Sequence, residues 1–321
     1  MRQMQIETVE LPLARPFAIS RGTRTAVTVV RVTLEERGFI GRGECTPTAH
    51  YQETADSVTR QLETVRQAVE NGIGLEALQQ SLPPGSARNA LDCALWRLNA
   101  ALARQTLWQH LAIAPPQSII TAETLSLDSV ENMANAAKDA VSRGALLLKI
   151  KLDRELILEK VAAIRQSAPN VTLIVDANEA WGGLELEPLL RQLAAHRIAM
   201  VEQPLPAGQD SALATFEHAI PVCADESCHH RGDIAALRDR YEMINIKLDK
   251  CGGLTEALAM VAEARQYDMR IMVGCMLGSS LAMEAAMPAA LAAEHVDLDG
   301  PIWLAADSSP YLTYNLGRIW L

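Results

Sequence analysis

Eight short apolar runs, many of them β-branched, recur through residues 118–300 at intervals of roughly 25 residues, and this repeat restricts the fold more than any other feature of the chain. They read SIITAETLSL (118–127), ALLLKIK (145–151), VTLIVDAN (171–178), IAMVEQP (198–204), IPVCADES (220–227), MINIKLDK (243–250), RIMVGCM (270–276) and HVDLDG (295–300). Between them lie stretches such as LEKVAAIRQSA and LTEALAMVAEARQY, whose apolar residues fall three and four apart, the spacing of an amphipathic helix. A strand followed by a helix returns to the same edge of its sheet, so the next strand pairs parallel to it. Eight such units at this chain length close into a barrel. After the eighth run, WLAADSSPYLTYNLGRIWL carries turn signals and short apolar runs rather than an eighth outer helix. The expectation is an α/β protein built on a (β/α)7β modified barrel.

The first part of the chain follows another pattern. ETVELPLARPF and TAVTVVRVTLEERGFIGRGECTPT alternate apolar and polar residues, as strands of an antiparallel sheet do. TADSVTRQLETVRQAVENG and SARNALDCALWRLNAALARQ follow as amphipathic helices, and SLPPGS (81–86) separates two helices rather than two domains. The two prolines of APPQS (114–118) mark the boundary. Residues 1–115 are expected to form an α+β capping domain, completed by the tail 305–321, and residues 116–304 the barrel.

Composition excludes several classes. Hydrophobic residues make up 49% of the 321, charged residues 21%, which suits a large core and not a disordered chain. The net charge of −10 repels phosphate backbones, so no nucleic-acid partner is expected. No run is apolar enough to span a bilayer, and MRQMQIETVELPLARPF has no apolar signal region, so neither a membrane partner nor a leader is expected. Six scattered cysteines without a CxxC pair read as reduced thiols of a cytoplasmic protein. A homo-oligomer is left open.

Charged residues stand where the barrel strands end. Lys149 and Lys151 close the second, Asp176 and Asn178 the third, Glu202 the fourth, Asp225 the fifth, Lys247 the sixth, and Asp297 and Asp299 the eighth. From Lys151 to Asp176, Glu202, Asp225 and Lys247 the steps are 25, 26, 23 and 22 residues by subtraction, which matches the strand repeat and puts each charge at one height on a different strand. Side chains alternate along a strand, so Lys149 shares a face with Lys151, and Asp176 with Asn178. If that face points inward, three carboxylates converge at the C-terminal mouth, where barrel enzymes keep their sites. Buried charges of one sign need a compensating partner. Carboxylates with no histidine among them suit a hard cation, magnesium, one per subunit, rather than zinc. The two lysines flank that position. Lys149 and the metal would lower the pKa of Lys151 so that it can act as a base near pH 7, and the metal would stabilise the enediolate left when an α-proton departs. One lysine removes the proton and the other returns it on the opposite face, which is racemisation or epimerisation.

These residues resemble the motifs of the enolase superfamily, muconate-lactonising subgroup: Lys149-Ile150-Lys151, Asp176-Ala177-Asn178, Val201-Glu202-Gln203-Pro204, Ala224-Asp225-Glu226-Ser227 and Asn245-Ile246-Lys247, with Gly41-Arg42-Gly43-Glu44 and Ala94-Leu95-Trp96 in the cap. The resemblance spans nearly the whole chain. It implies Asp176, Glu202 and Asp225 as metal ligands and Lys151 and Lys247 as the acid and base. Lysine bases with magnesium are general to this superfamily, so that pairing is not an independent expectation.

The ending Asp297-Leu298-Asp299 resembles the dipeptide epimerases within the subgroup, where an acidic pair holds the substrate's ammonium. The resemblance implies a dipeptide partner such as L-Ala-D/L-Glu, met in recycling of peptidoglycan peptides. It also implies a distal carboxylate bound by Arg24 or Arg21 of the cap loop, with Arg24 the choice, and a polar contact from Thr124. Two carboxylates repel anionic substrates, which disfavours the alternatives, o-succinylbenzoate synthase, another cycloisomerase or an N-acylamino acid racemase. Many relatives carry an acidic residue after the seventh strand, where this chain reads Cys275-Met276-Leu277-Gly278-Ser279-Ser280.

Overall fold

The computed structural model describes residues 2–321. The alternating segments of the N-terminal lobe pair as an antiparallel three-stranded sheet of β1 (Gln3–Ile19), β2 (Gly22–Glu36) and β3 (Phe39–Cys45). Helix α1 (Ala55–Glu70), capped by Thr54, short α2 (Leu75–Ser81) and α3 (Ser86–Leu102) pack on it, followed by one turn, α4 (Leu107–His110). The central helix α3 lies against β3 so closely that a Cβ at Gly43 would stand 1.9 Å from the Ala90 carbonyl oxygen, which is the physical reason for the GRGE glycine. The opposite face of α3 meets the barrel: Arg88 donates to the carbonyls of Cys251 and Gly252, Asp92 accepts from the Thr255 amide, and the Trp96 indole donates to Thr255 Oγ1. The cap is thus joined to the barrel by buried polar contacts as well as by apolar packing.

The second lobe runs β4 (Ser118–Ile120), β5 (Glu123–Leu125), α5 (Val130–Ser142), β6 (Leu147–Lys151), α6 (Ile157–Ser167), β7 (Thr172–Asp176), α7 (Leu186–Ala195), β8 (Ile198–Glu202), β9 (Val222–Ala224), α8 (Arg231–Leu237), β10 (Met243–Ile246), α9 (Leu248–Cys251), α10 (Leu254–Gln266), β11 (Arg270–Gly274), α11 (Ser280–Ala290), β12 (His295–Asp297), β13 (Thr313–Asn315) and β14 (Arg318–Trp320). Strands β5 to β12 form one eight-stranded parallel sheet in sequence order. Its seam is bridged by the Ala122 amide donating to the Val296 carbonyl at 2.7 Å, and by Leu298 N–H on Thr121 Oγ1 at 3.0 Å. The (β/α)7β barrel and α+β cap are therefore as the sequence pattern implies, with no outer helix after β12.

Three local features differ from the sequence expectations. The run 118–127 is two strands in two sheets: β5 opens the barrel, while β4 pairs antiparallel with β14. The tail 305–321 consequently does not simply complete the cap. Ala305 donates to the Pro12 carbonyl of the cap, but residues 313–320 form a hairpin that extends β4, because Ile119 and Ile319 bury one another's apolar faces there. Between β8 and β9 the crossover is a single 3-10 turn, Ser211–Thr215, in a stretch whose prolines 204, 206 and 221 are ill suited to a helix interior. All six cysteines are free thiols. Among the described residues no helix is long and apolar enough to cross a membrane.

Candidate active site

The floor of the barrel decides which way the strand-end charges point. Ala122, Leu147, Ile174, Met200, Cys223, Met243 and Met272, one from each of seven consecutive staves, form a buried apolar cluster. Alternation then sends the residues two further along the same way: Thr124, Lys149, Asp176, Glu202, Asp225 and Asn245 stand in the next layer, with Lys151 and Lys247 one layer higher. Position 274 of that layer is glycine. A Cβ there would lie 2.8 Å from Asn245 Oδ1 and 3.2 Å from Lys247 Cε, so its absence gives the Lys247 side chain room to cross.

Lys151 is on the second stave and Lys247 follows the sixth. Three staves lie between them on either side of a ring of eight, so the two ammonium groups face one another across the mouth. Lys151 Nζ is 2.6 Å from Asp176 Oδ2, and Lys247 Nζ is 2.6 Å from Asp225 Oδ2 and 4.0 Å from Glu202 Oε1. Asn245 donates to Glu202 Oε1 at 2.7 Å. Burial lowers the Lys247 pKa, but Asp225 and Glu202 outweigh it and hold the amine above its ordinary value.

Lys149, expected from its place on the same face to lower the pKa of Lys151 and to contact the substrate, is enclosed by carboxylates. Its ammonium is 1% exposed and lies 2.7 Å from Glu202 Oε2, 2.8 Å from Asp297 Oδ2 and 3.1 Å from Asp176 Oδ2. Burial opposes its charge, yet Asp297, Glu202 and Asp176 keep it well above the usual lysine range. It is the counter-charge at the centre of the carboxylates because it is one layer deeper than Lys151.

The three carboxylates differ in environment. Burial would raise all of them. At Asp176 it is outweighed by Lys151 and Lys149, and at Asp225 by Lys247 and Lys250, so both are held below the ordinary range. At Glu202 burial wins, reinforced by Asp176, and pushes the carboxyl up to about 7. Among the described residues Glu202 Oε2 has no well-directed hydrogen bond although Lys149 is close. An all-oxygen donor set with such an under-compensated carboxylate fits a hard divalent cation. Lysine ammonium groups space these carboxylates. The one trio of ligand-type atoms within 4.8 Å of one another, among the described residues, is instead His50, Glu179 and Glu226 at the mouth's edge. That trio is already served by a cation, since Arg21 reaches Glu226 Oε1 at 2.9 Å and Glu179 Oε2 at 3.3 Å.

A cavity of about 340 Å³ sits over these groups, lined by Lys149, Lys151, Asn178, Lys247, Asp297 and Asp299 from the barrel and by Phe17, Arg24 and His50 among others from the cap. Sequence alone leaves Arg21 and Arg24 as alternatives for the cavity's cation, and the structure separates them. Arg21 is committed to Glu226, Glu179 and the Asn178 carbonyl. Both arginines line the cavity, but among the described residues the Arg24 side chain has no ion pair or hydrogen bond. Asn178 and Glu179 both have positive φ, 42° and 68°, which turns the chain sharply after β7; the Asn178 amide returns to Asp176 Oδ1 at 2.9 Å. The strand-eight acids are not equivalent. Asp299 Oδ2 accepts from the Thr124 amide at 2.8 Å and the Trp303 indole at 3.2 Å, whereas Asp297 bonds Lys149 through Oδ2 and has a buried Oδ1 with no hydrogen-bond partner among the described residues. Thr124 is thereby tied to Asp299 through its main chain.

An antiparallel cap over a (β/α)7β barrel, with lysines on opposite staves and acids between, defines a class, and sequence comparison agrees. Residues 1–112 match the mandelate racemase / muconate lactonizing enzyme N-terminal domain and residues 132–319 the enolase C-terminal domain-like family. The chain belongs to this family, the muconate-lactonising branch of the enolase superfamily, and is an enzyme of the isomerase class. It is 49% identical to L-Ala-D/L-Glu epimerase of Escherichia coli (strain K12) over 321 residues, 100% of both chains. A crystal structure of an enolase family member from Agrobacterium tumefaciens with homology to dipeptide epimerases, holding sodium and L-Ala-L-Glu, superposes with a TM-score of 0.96 at 44% identity, over 100% of this chain and 98% of that one. Dipeptide epimerase from Enterococcus faecalis V583, complexed with Mg and L-Leu-L-Tyr, gives 0.90 at 28% identity, over 99% and 96%.

Proposed function

We propose that this protein epimerises L-Ala-D/L-Glu at the α-carbon of the glutamate by proton transfer between Lys151 and Lys247. The observation that carries the proposal is the placement of these two amines on opposite staves, each against a carboxylate, in one cavity. Proton removal from one face and delivery to the other is what inverts a stereocentre. Asp176, Glu202 and Asp225 would hold one Mg2+ per subunit, which when bound supplies electrostatic stabilisation of the charge that develops on the substrate carboxylate. Lys149 keeps the acids from repelling one another. Asp297 and Asp299, which both line the cavity, would supply carboxylate oxygen to the dipeptide ammonium, and Asp299 fixes the Thr124 main chain through Oδ2. Arg24 receives the distal carboxylate of the glutamate, and Arg21 anchors the loop that carries it. Asn178 supports that loop through its carbonyl. The role this reading assigns to the reaction is peptidoglycan peptide recycling.

The test is incubation of L-Ala-L-Glu with enzyme and Mg2+ in D2O. Gain of one mass unit with appearance of L-Ala-D-Glu is expected. Absence of exchange, together with turnover of a cyclohexadiene carboxylate to o-succinylbenzoate, would remove the proposal. The Arg24 assignment has its own expected outcome. Arg24→Met raises KM for L-Ala-L-Glu roughly 10- to 100-fold, the worth of a hydrogen bond to a charged group, with a smaller change in kcat because the contact is remote from the reacting carbon. L-Ala-L-Ala, which has no distal carboxylate, is turned over unchanged. Equal KM values for both substrates in wild type and variant would reassign the contact.

A further inference from the structure

Lys250 lies one turn beyond Lys247 in α9, with no access to the cavity, and it is 2% exposed. Its ammonium makes four contacts: with the Asp225 carbonyl, with Asp225 Oδ1 at 2.7 Å, with the Cys228 carbonyl at 2.8 Å and with the Asn245 carbonyl at 3.0 Å. Two of these belong to one residue. Holding both the main-chain and the side-chain oxygen of Asp225 fixes the rotation of its side chain. It also occupies Oδ1, so that Oδ2 is the oxygen offered to the mouth, where Lys247 meets it. The fourth contact ties the same ammonium to Asn245, whose amide donates to Glu202 Oε1. One buried cation thus links the ends of two neighbouring staves, β9 and β10, holding Asp225 directly and reaching Glu202 of β8 through Asn245. Its turn is held from outside by Arg88 of the cap, which donates to the Cys251 and Gly252 carbonyls.

We infer that Lys250 is a positioning residue for the metal: it makes Asp225 a one-oxygen ligand and, through Asn245, aligns Glu202 with it. The inference rests on the ligand set proposed above. A lysine with only a structural role would change stability and leave metal affinity alone; partners that orient ligands alter affinity about 10- to 100-fold when removed.

The experiment measures Mn2+ binding by electron paramagnetic resonance on the full-length protein, without substrate, alongside a thermal melt. Lys250→Met is expected to weaken Mn2+ roughly 10- to 100-fold, and Lys250→Gln, which retains a neutral donor, to fall between it and wild type. Lys160→Met is the control, since Lys160 is 5% exposed and paired with Asp153 at 3.1 Å on the outer helix α6, and it should bind Mn2+ as wild type does. Asp225→Asn separates the two levels. If it binds Mn2+ normally, the ligand set itself is wrong. If it loses Mn2+ while a folded Lys250→Met does not, only the role of Lys250 is overturned. Should Lys250→Met not fold, Lys250→Gln decides by the same criterion, and failure of both to fold would make Lys250 purely structural and overturn the inference.

Discussion

Lys151→Ala lowers kcat for epimerisation of L-Ala-L-Glu by roughly 10²- to 10⁴-fold in both directions, the usual contribution of a positioned acid or base. The informative result is what survives. If Lys247 faces the α-hydrogen of one diastereomer, that isomer still exchanges it with D2O in the Lys151 variant, without inverting. The opposite isomer loses exchange. Lys247→Ala gives the mirror result. The expectation follows from the two amines facing each other across the mouth from staves two and six, since each can reach only one face of a substrate held between them. Proton NMR of each pure diastereomer in D2O reads the outcome. Exchange of both isomers by both variants, or of neither by either, would show that the lysines do not divide the faces.

Lys149→Met destabilises the fold by about 3–5 kcal/mol, the cost of removing one partner from a buried ionic cluster. The methionine fills the volume, so the loss is electrostatic. Asp176, Glu202 and Asp297, all within 3.1 Å of the ammonium, are left facing one another in a buried site. Added Mg2+ recovers part of the deficit if it binds among these acids, because a ligand that binds only the folded state stabilises it by mass action. Urea unfolding with and without Mg2+ provides the measurement. An unchanged midpoint in the variant would mean that Lys149 does not carry the charge balance assigned to it.

Much of the site was legible in the chain because strand geometry is periodic. A repeat of staves and a side-chain period of two are enough to bring Lys151, Asp176, Glu202, Asp225 and Lys247 to one mouth, the three acids in one layer and the two lysines one layer above, and the inward direction then follows from the apolar residue two or four positions earlier on each strand. Three features were not legible. Lys250 belongs to the same IKLDK run as Lys247, yet its function depends on a one-turn helix folding its ammonium back under Asp225, which no spacing announces. Glu226, 3% exposed and pushed up to about 7 by burial and then by Asp225, reads in sequence as the residue after a ligand; only the cap loop's arrival makes it the anchor of Arg21. The division of 118–127 between two sheets depends on a hairpin almost two hundred residues later.

The sequence by itself determined the barrel, the cap and the layer of charges at the mouth, because hydrophobic periodicity and strand alternation are local properties repeated many times along the chain. Only the tertiary structure decided how those charges are shared: that Lys149 sits at the centre of the acids, that Asp297 gives one oxygen to Lys149 while Asp299 gives one to Thr124 and Trp303, and that Arg21 is tied to Glu226 and Glu179 while Arg24, on the same cavity, has no ion pair or hydrogen bond among the described residues. Those outcomes depend on which side chains from distant segments reach one another first in a buried space, and Coulomb interactions there act over a few ångströms that no linear spacing specifies.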